Sequence, residues 1–163
     1  MIPDDFMKII EKVNLSLVEF NRFLNPNNSI PLIELCFSGD NVNACKIIHG
    51  KWNEWSFPNN ATKRGVYLIL GKNIANTNEV ALYIGKASLS SHMGDRLYAH
   101  LHKYKNTPYY LMNGTDESQY ILDYIVAIDL DSIGVWFLAP ALEEFLISNL
   151  KEQITLMNGT GNS

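Results

Sequence analysis

A chain of 163 residues that is 47% hydrophobic and 18% charged has apolar surface enough for one packed domain, which excludes a disordered chain. Two cysteines, Cys36 and Cys45, are too few for a disulfide framework at this length, and no apolar run approaches the roughly 18 residues that span a bilayer. The net charge of −4 argues against general affinity for nucleic acid, yet residues 63–105 hold seven Lys/Arg against two Asp/Glu between acidic flanks.

The opening Met1-Ile2-Pro3-Asp4-Asp5 has neither the basic nor the apolar region of a secretion signal, so a cytoplasmic protein is the expectation. Over residues 4–24, Phe6, Ile9, Ile10, Val13, Leu17, Phe20 and Leu24 recur at spacings of three and four and predict a helix with one apolar stripe. Asn25-Pro26-Asn27-Asn28 ends it. Residues 30–37 fit a strand or a loop laid on the core, residues 41–50 a short helix, and residues 52–63 an irregular connector.

Residues 65–70 and 80–85 are short, apolar and rich in strand formers, and the Asn- and Gly-bearing segment 71–79 joins them as a hairpin loop. Both strands are apolar on both faces, so a layer is expected on each side of the sheet. A helix over residues 91–104 turns Leu97, Leu101 and Tyr104 inward and gathers Arg96, His100 and Lys103 on a neighbouring face. Residues 119–130 read as a third strand. Pro140 suits the first turn of a last helix whose buried stripe is Leu142, Phe145, Leu146 and Leu150. Leu-Met-Asn-Gly-Thr occurs at 111–115 and again at 156–160 between unlike flanks, a reused turn and not a repeat architecture.

Two familiar chemistries fail on spacing. Cys36, Cys45 and His49 fit no compact zinc module, and free thiols packed as small hydrophobes are the better reading. Gly85-Lys86-Ala87-Ser88 lacks the first glycine of a phosphate loop and has Ala87 where a hydroxyl must meet magnesium.

A third constellation is sharper. Gly65-Val66-Tyr67, Tyr83-Ile84-Gly85-Lys86, Arg96 with His100 four residues on, and Leu142-Glu143 ahead of Leu146-Ile147 follow one another in that order. From residue 64 to about 160 the chain resembles the GIY-YIG nuclease family of repair, homing and restriction endonucleases. The resemblance implies an α+β fold, a small three-stranded antiparallel sheet flanked by helices, here with a helical N-terminal extension. Residues 1–62 would form that extension, packed on the core or at a homodimer contact, and residues 63–163 the nuclease-like domain.

It also implies hydrolysis of DNA phosphodiesters, duplex or branched, with one Mg²⁺ or Mn²⁺ as cofactor. Tyr67 would accept a proton from the attacking water and Tyr83 would position water or phosphate. Arg96 would offer its planar fork to phosphate oxygens, and His100 would orient Tyr67 or share its role. Glu143 would hold the metal, its neighbour Glu144 being the alternative. Lys86, Lys103 and Asn158 would meet flanking phosphates, with Asn162 a rival to Asn158. The loop between the tyrosine motifs is long for the repair members, which points to a restriction-like or phage-like branch. The alternative is a catalytically silent module that keeps the fold for binding nucleic acid or for regulation.

Overall fold

The computed structural model describes residues 2–48, 58–102, 109–111 and 119–158. Helix α1 (Asp4–Asn21) starts behind Pro3 with two acids in its first turn, where they complement the helix dipole. Its predicted stripe, Phe6 through Phe20, is buried, and the helix stops three residues short of the predicted end. The ambiguous segment after it is an extended strap held by side chains. Asn14 accepts from the Ile33 N–H (2.7 Å) and donates to its carbonyl (3.0 Å), and Asn21 does the same with Ile30 (2.8 and 2.9 Å). Each carboxamide thus stands in for one residue of a neighbouring strand, which satisfies strap groups that have no ladder.

The sheet is larger than the sequence suggests. Strands β1 (Ala44–Lys46), β2 (Gly65–Asn73), β3 (Val80–Ala87), β4 (Tyr109–Leu111), β5 (Gln119–Asp129) and β6 (Thr155–Leu156) form one sheet in the order β1-β5-β2-β3-β6, with β4 also on β5. The three antiparallel strands expected are its centre, β5-β2-β3, but β6 joins β3 in parallel and makes the sheet mixed. The expectation of three strands is corrected to six because the additions are too short to carry a period. The helix expected over residues 41–50 is corrected to β1 in its described part: the outer edge of β5 pairs Ala44 with Val126 and Lys46 with Tyr124, and that pairing overrides local spacing.

Helices complete three layers. Helix α3 (Ala139–Leu150), with Pro140 in its first turn as expected, packs with α1 on one face of the sheet, over Val66, Leu68, Leu82 and Ile84. Phe20 and Phe145 meet edge to face between the two helices, with ring centroids 5.2 Å apart. Helix α1 is therefore part of the main core and not an appendage. Helix α2 (Met93–His102) covers the opposite face through Met93, Leu97 and Leu101. Truncating a fully buried leucine such as Leu68 or Leu97 to alanine costs about 2–5 kcal/mol, so both faces are needed for the fold.

Smaller features follow from local chemistry. The hairpin loop is shorter than predicted because the Asn73 carboxamide caps it, accepting from the Ala75 and Asn76 N–H groups. Gly65 is compulsory: a Cβ there would overlap the Ile128 carbonyl oxygen of β5, a backbone atom that cannot give way. Cys36 and Cys45 are free thiols, and burial pushes Cys45 up to about 12, which keeps it protonated and inert. Leu111 ends β4 and Leu156 ends β6, so each described start of the duplicated pentapeptide closes a strand. Among the described residues no helix is long and apolar enough to cross a membrane.

Candidate active site

The β2–β3 register sets the site. Tyr67 lies opposite Gly85 and Tyr83 opposite Ile69, so both tyrosines project from one face, two steps apart on adjacent strands. Their rings stack with centroids 6.4 Å apart and planes 18° from parallel. Gly85 makes this possible. A Cβ on residue 85 would fall inside the Tyr67 phenol, overlapping Cζ, Cε2 and the hydroxyl, so the ring lies directly on the β3 backbone. Tyr67 is 1% exposed and Tyr83 4%.

Helix α2 brings two more of the expected residues to this face. His100 packs against Tyr83 in a tilted contact, with ring centroids 4.6 Å apart and planes at 40°. This places the imidazole against the second tyrosine. Arg96, one turn earlier, is exposed. Lys103 and Lys105 lie outside the described residues, as does Asn162.

The remaining candidates come from the other layer. Lys86 pairs with Val66, which sets it on the α3 side of β3, half-buried. Glu143 belongs to the inward face of α3 with Leu142, Leu146, Ile147 and Leu150, and is 4% exposed, whereas Glu144 is exposed. Burial therefore separates two neighbours that spacing alone left close. Residue 65 pairs with both Ala87 and Asp129, so β5 ends, and the turn into α3 begins, at the end of the sheet where β3 also ends. The β6 pairing stops at Leu82, and residues 85–87 lie beyond it. Tyr67, Tyr83 and His100 thus gather on the α2 side of the sheet near the end of β3, whereas Lys86 and Glu143 belong to the α3 layer on its other face.

Asn158 does something the sequence did not disclose. Its Oδ1 accepts from the Ile84 N–H (2.9 Å) and its Nδ2 donates to the Ile84 carbonyl (2.6 Å). The carboxamide continues β6 by one artificial residue and fastens the tail to the strand that carries Tyr83 and Gly85. With both ends of the amide engaged on backbone, Asn158 is a positioning residue for β3.

Among the described residues no three His, Cys, Asp or Glu side chains gather, so a closed tetrahedral centre has no donor set here. One buried carboxylate fits a hard cation that keeps most of its ligands as water and phosphate oxygen, as Mg²⁺ does.

A clasp braces the same end of the sheet. The Arg64 guanidinium grips Asp131 through Nε (3.0 Å) and Nη2 (2.6 Å), and the Arg64 N–H donates to Asp131 Oδ2 (2.6 Å). The guanidinium also stacks 3.9 Å from the centre of the Trp136 ring, and its Nη1 donates to the Leu89 carbonyl (3.2 Å). These partners lie up to 72 residues apart, a pairing no local pattern announces.

Hydrogen bonding from Arg64 holds the Asp131 carboxyl below the ordinary carboxylate range. Its contribution to stability is therefore present above about pH 4, the unfolded value, and is lost as the pH falls through the lower folded value. Thermal melts of wild type and Asp131→Asn should be well separated at neutral pH and converge in acid. A constant separation down to the lowest pH that preserves folding would contradict the clasp.

Comparison with protein-family models, with curated proteins and with solved structures finds no match to this chain.

Proposed function

We propose that the chain is a metal-dependent endonuclease of the GIY-YIG type, cleaving duplex or branched DNA in a restriction-like or phage-like setting. The observation that carries this reading is the Tyr67 ring seated on Gly85 and stacked on Tyr83, with His100 against Tyr83. The two glycine–tyrosine motifs then have a shared physical purpose: the glycine of the second makes room for the tyrosine of the first.

In this reading Tyr67, ionised to the phenolate, takes a proton from water as the water oxygen attacks phosphorus and the bond to the leaving sugar oxygen breaks; the leaving oxygen takes its proton from solvent, and the tyrosine returns its own to solvent. Tyr83 orients that water, and His100 fixes the Tyr83 ring. Arg96 forks onto phosphate oxygens, where charge grows in the transition state, while Lys86 and Lys103 meet flanking phosphates as point charges. Glu143 would hold Mg²⁺ or Mn²⁺, a cation that supplies Lewis-acid stabilisation of phosphoryl oxygen when bound. A cytoplasmic location and a homodimer that cuts both strands belong to the same proposal.

One observation favours a second reading, a silent nucleic-acid-binding module. A proton acceptor must meet water, and Tyr67 is nearly closed off. Incubation of supercoiled plasmid with the protein and Mg²⁺, Mn²⁺ or chelator decides between them. Nicked and linear products that require metal are expected. DNA binding without cleavage under every metal condition would select the silent module, and neither binding nor cleavage would reject both.

A further inference from the structure

The link between β3 and α2 carries an anomaly. Residues 88–91 form a tight turn closed by the Ser91 N–H donating to the Ser88 carbonyl (3.2 Å), and Leu89 occupies its second position at φ 58°. That region suits glycine or asparagine, and a branched bulky side chain is out of place in it. Leu89 is the only non-glycine with positive φ among the described residues, and it is 77% exposed. Burial therefore does not explain the leucine.

An exposed leucine alone is ordinary surface. This one is held. Its carbonyl receives the Arg64 guanidinium, which is itself fixed by Asp131 and Trp136, so the apex of the turn is tied to the end of the sheet. Serines flank it at 88, 90 and 91. In the chain it stands three residues after Lys86 and seven before Arg96, between two cations assigned above to phosphate. A braced apolar tip between hydroxyl and cationic groups has the chemistry of a side chain that enters a base step while its neighbours hold the backbone.

We propose that Leu89 is a wedge that unstacks a base step beside the scissile phosphate, and that the preferred substrate is DNA with weakened stacking, such as mismatched, bulged or branched duplex. This rests on the nuclease reading. Unstacking costs less where pairing is already broken, which turns the wedge into a selectivity device.

The test is binding in chelator, so that no strand is cut, with matched and singly mismatched duplexes carrying 2-aminopurine at the variable step. Wild type should bind the mismatched duplex roughly tenfold more tightly, equivalent to about 1.4 kcal/mol, and brighten the probe. Leu89→Gly and Leu89→Asn both suit the turn and should melt no lower than wild type. They should bind matched duplex as wild type does, lose the mismatch preference and leave the probe dark. Preference and brightening that survive in both variants, or are absent from wild type that binds DNA, would overturn the wedge and leave the nuclease reading intact. No binding to any duplex would remove the nuclease reading and the wedge with it.

Discussion

Glu143→Gln is expected to lower metal-dependent cleavage about a thousandfold while the protein stays folded and binds DNA in chelator as before. The reasoning starts from burial. A carboxylate in the inward face of α3, among Leu142, Leu146 and Ile147, is costly, because removing a charge from water carries a penalty of several kcal/mol. Glutamine keeps the volume and removes only the charge, so a purely structural role predicts a change confined to stability, with the activity of the folded protein intact. A metal ligand predicts a folded protein with activity gone. Ground-state binding survives because Arg96 and the lysines still meet the backbone, and the cation's main effect falls on charge that develops in the transition state. Glu144→Gln is the control: its side chain is exposed one residue away and should change neither quantity. Wild-type cleavage by Glu143→Gln would remove it from the site, and loss only in Glu144→Gln would transfer the role to its neighbour.

Periodic features were legible before any coordinates. The stripe of α1, the two-faced apolar strands β2 and β3, and Pro140 at the start of α3 each carry a repeating or positional signal, and each stands where it was read. Tyrosine parity puts Tyr67 and Tyr83 on one face only in a suitable register, and the hairpin supplies it by pairing Tyr67 with Gly85 and Tyr83 with Ile69. Features built from single side chains at long separation were not legible. The carboxamides of Asn14, Asn21 and Asn158 replace strand pairing one residue at a time, and the Arg64 clasp joins segments that only the fold brings together. Strands of two or three residues are too short to show a period, which is why β1, β4 and β6 were missed. The division of the candidate site between two layers was invisible for a related reason: an ordered set of motifs does not say which helix covers which face of the sheet.

Gly85→Ala tests the seat of Tyr67 most directly, and is expected to destabilise the protein by about 1–3 kcal/mol and to abolish cleavage. The new methyl would occupy the place of Tyr67 Cζ and Cε2, and the ring, 1% exposed and stacked on Tyr83, has little room to retreat. Any retreat carries the hydroxyl away from the β3 rim, so activity and stability fall together. Tyr67→Phe separates them: it deletes only the hydroxyl, should melt close to wild type, and should lose cleavage by about a hundredfold or more if that oxygen takes the proton. A double-mutant cycle then reads the geometry without reference to catalysis. In the Tyr67→Phe background Gly85→Ala should cost as much as in wild type, because the two clashing ring carbons remain. In the Tyr67→Leu background, where the far half of the ring is gone, the same change should become nearly free. Equal penalties in all three backgrounds would mean that the ring does not rest on Gly85 in solution, and the tyrosine pair would lose the arrangement that supports its reading as a catalytic centre.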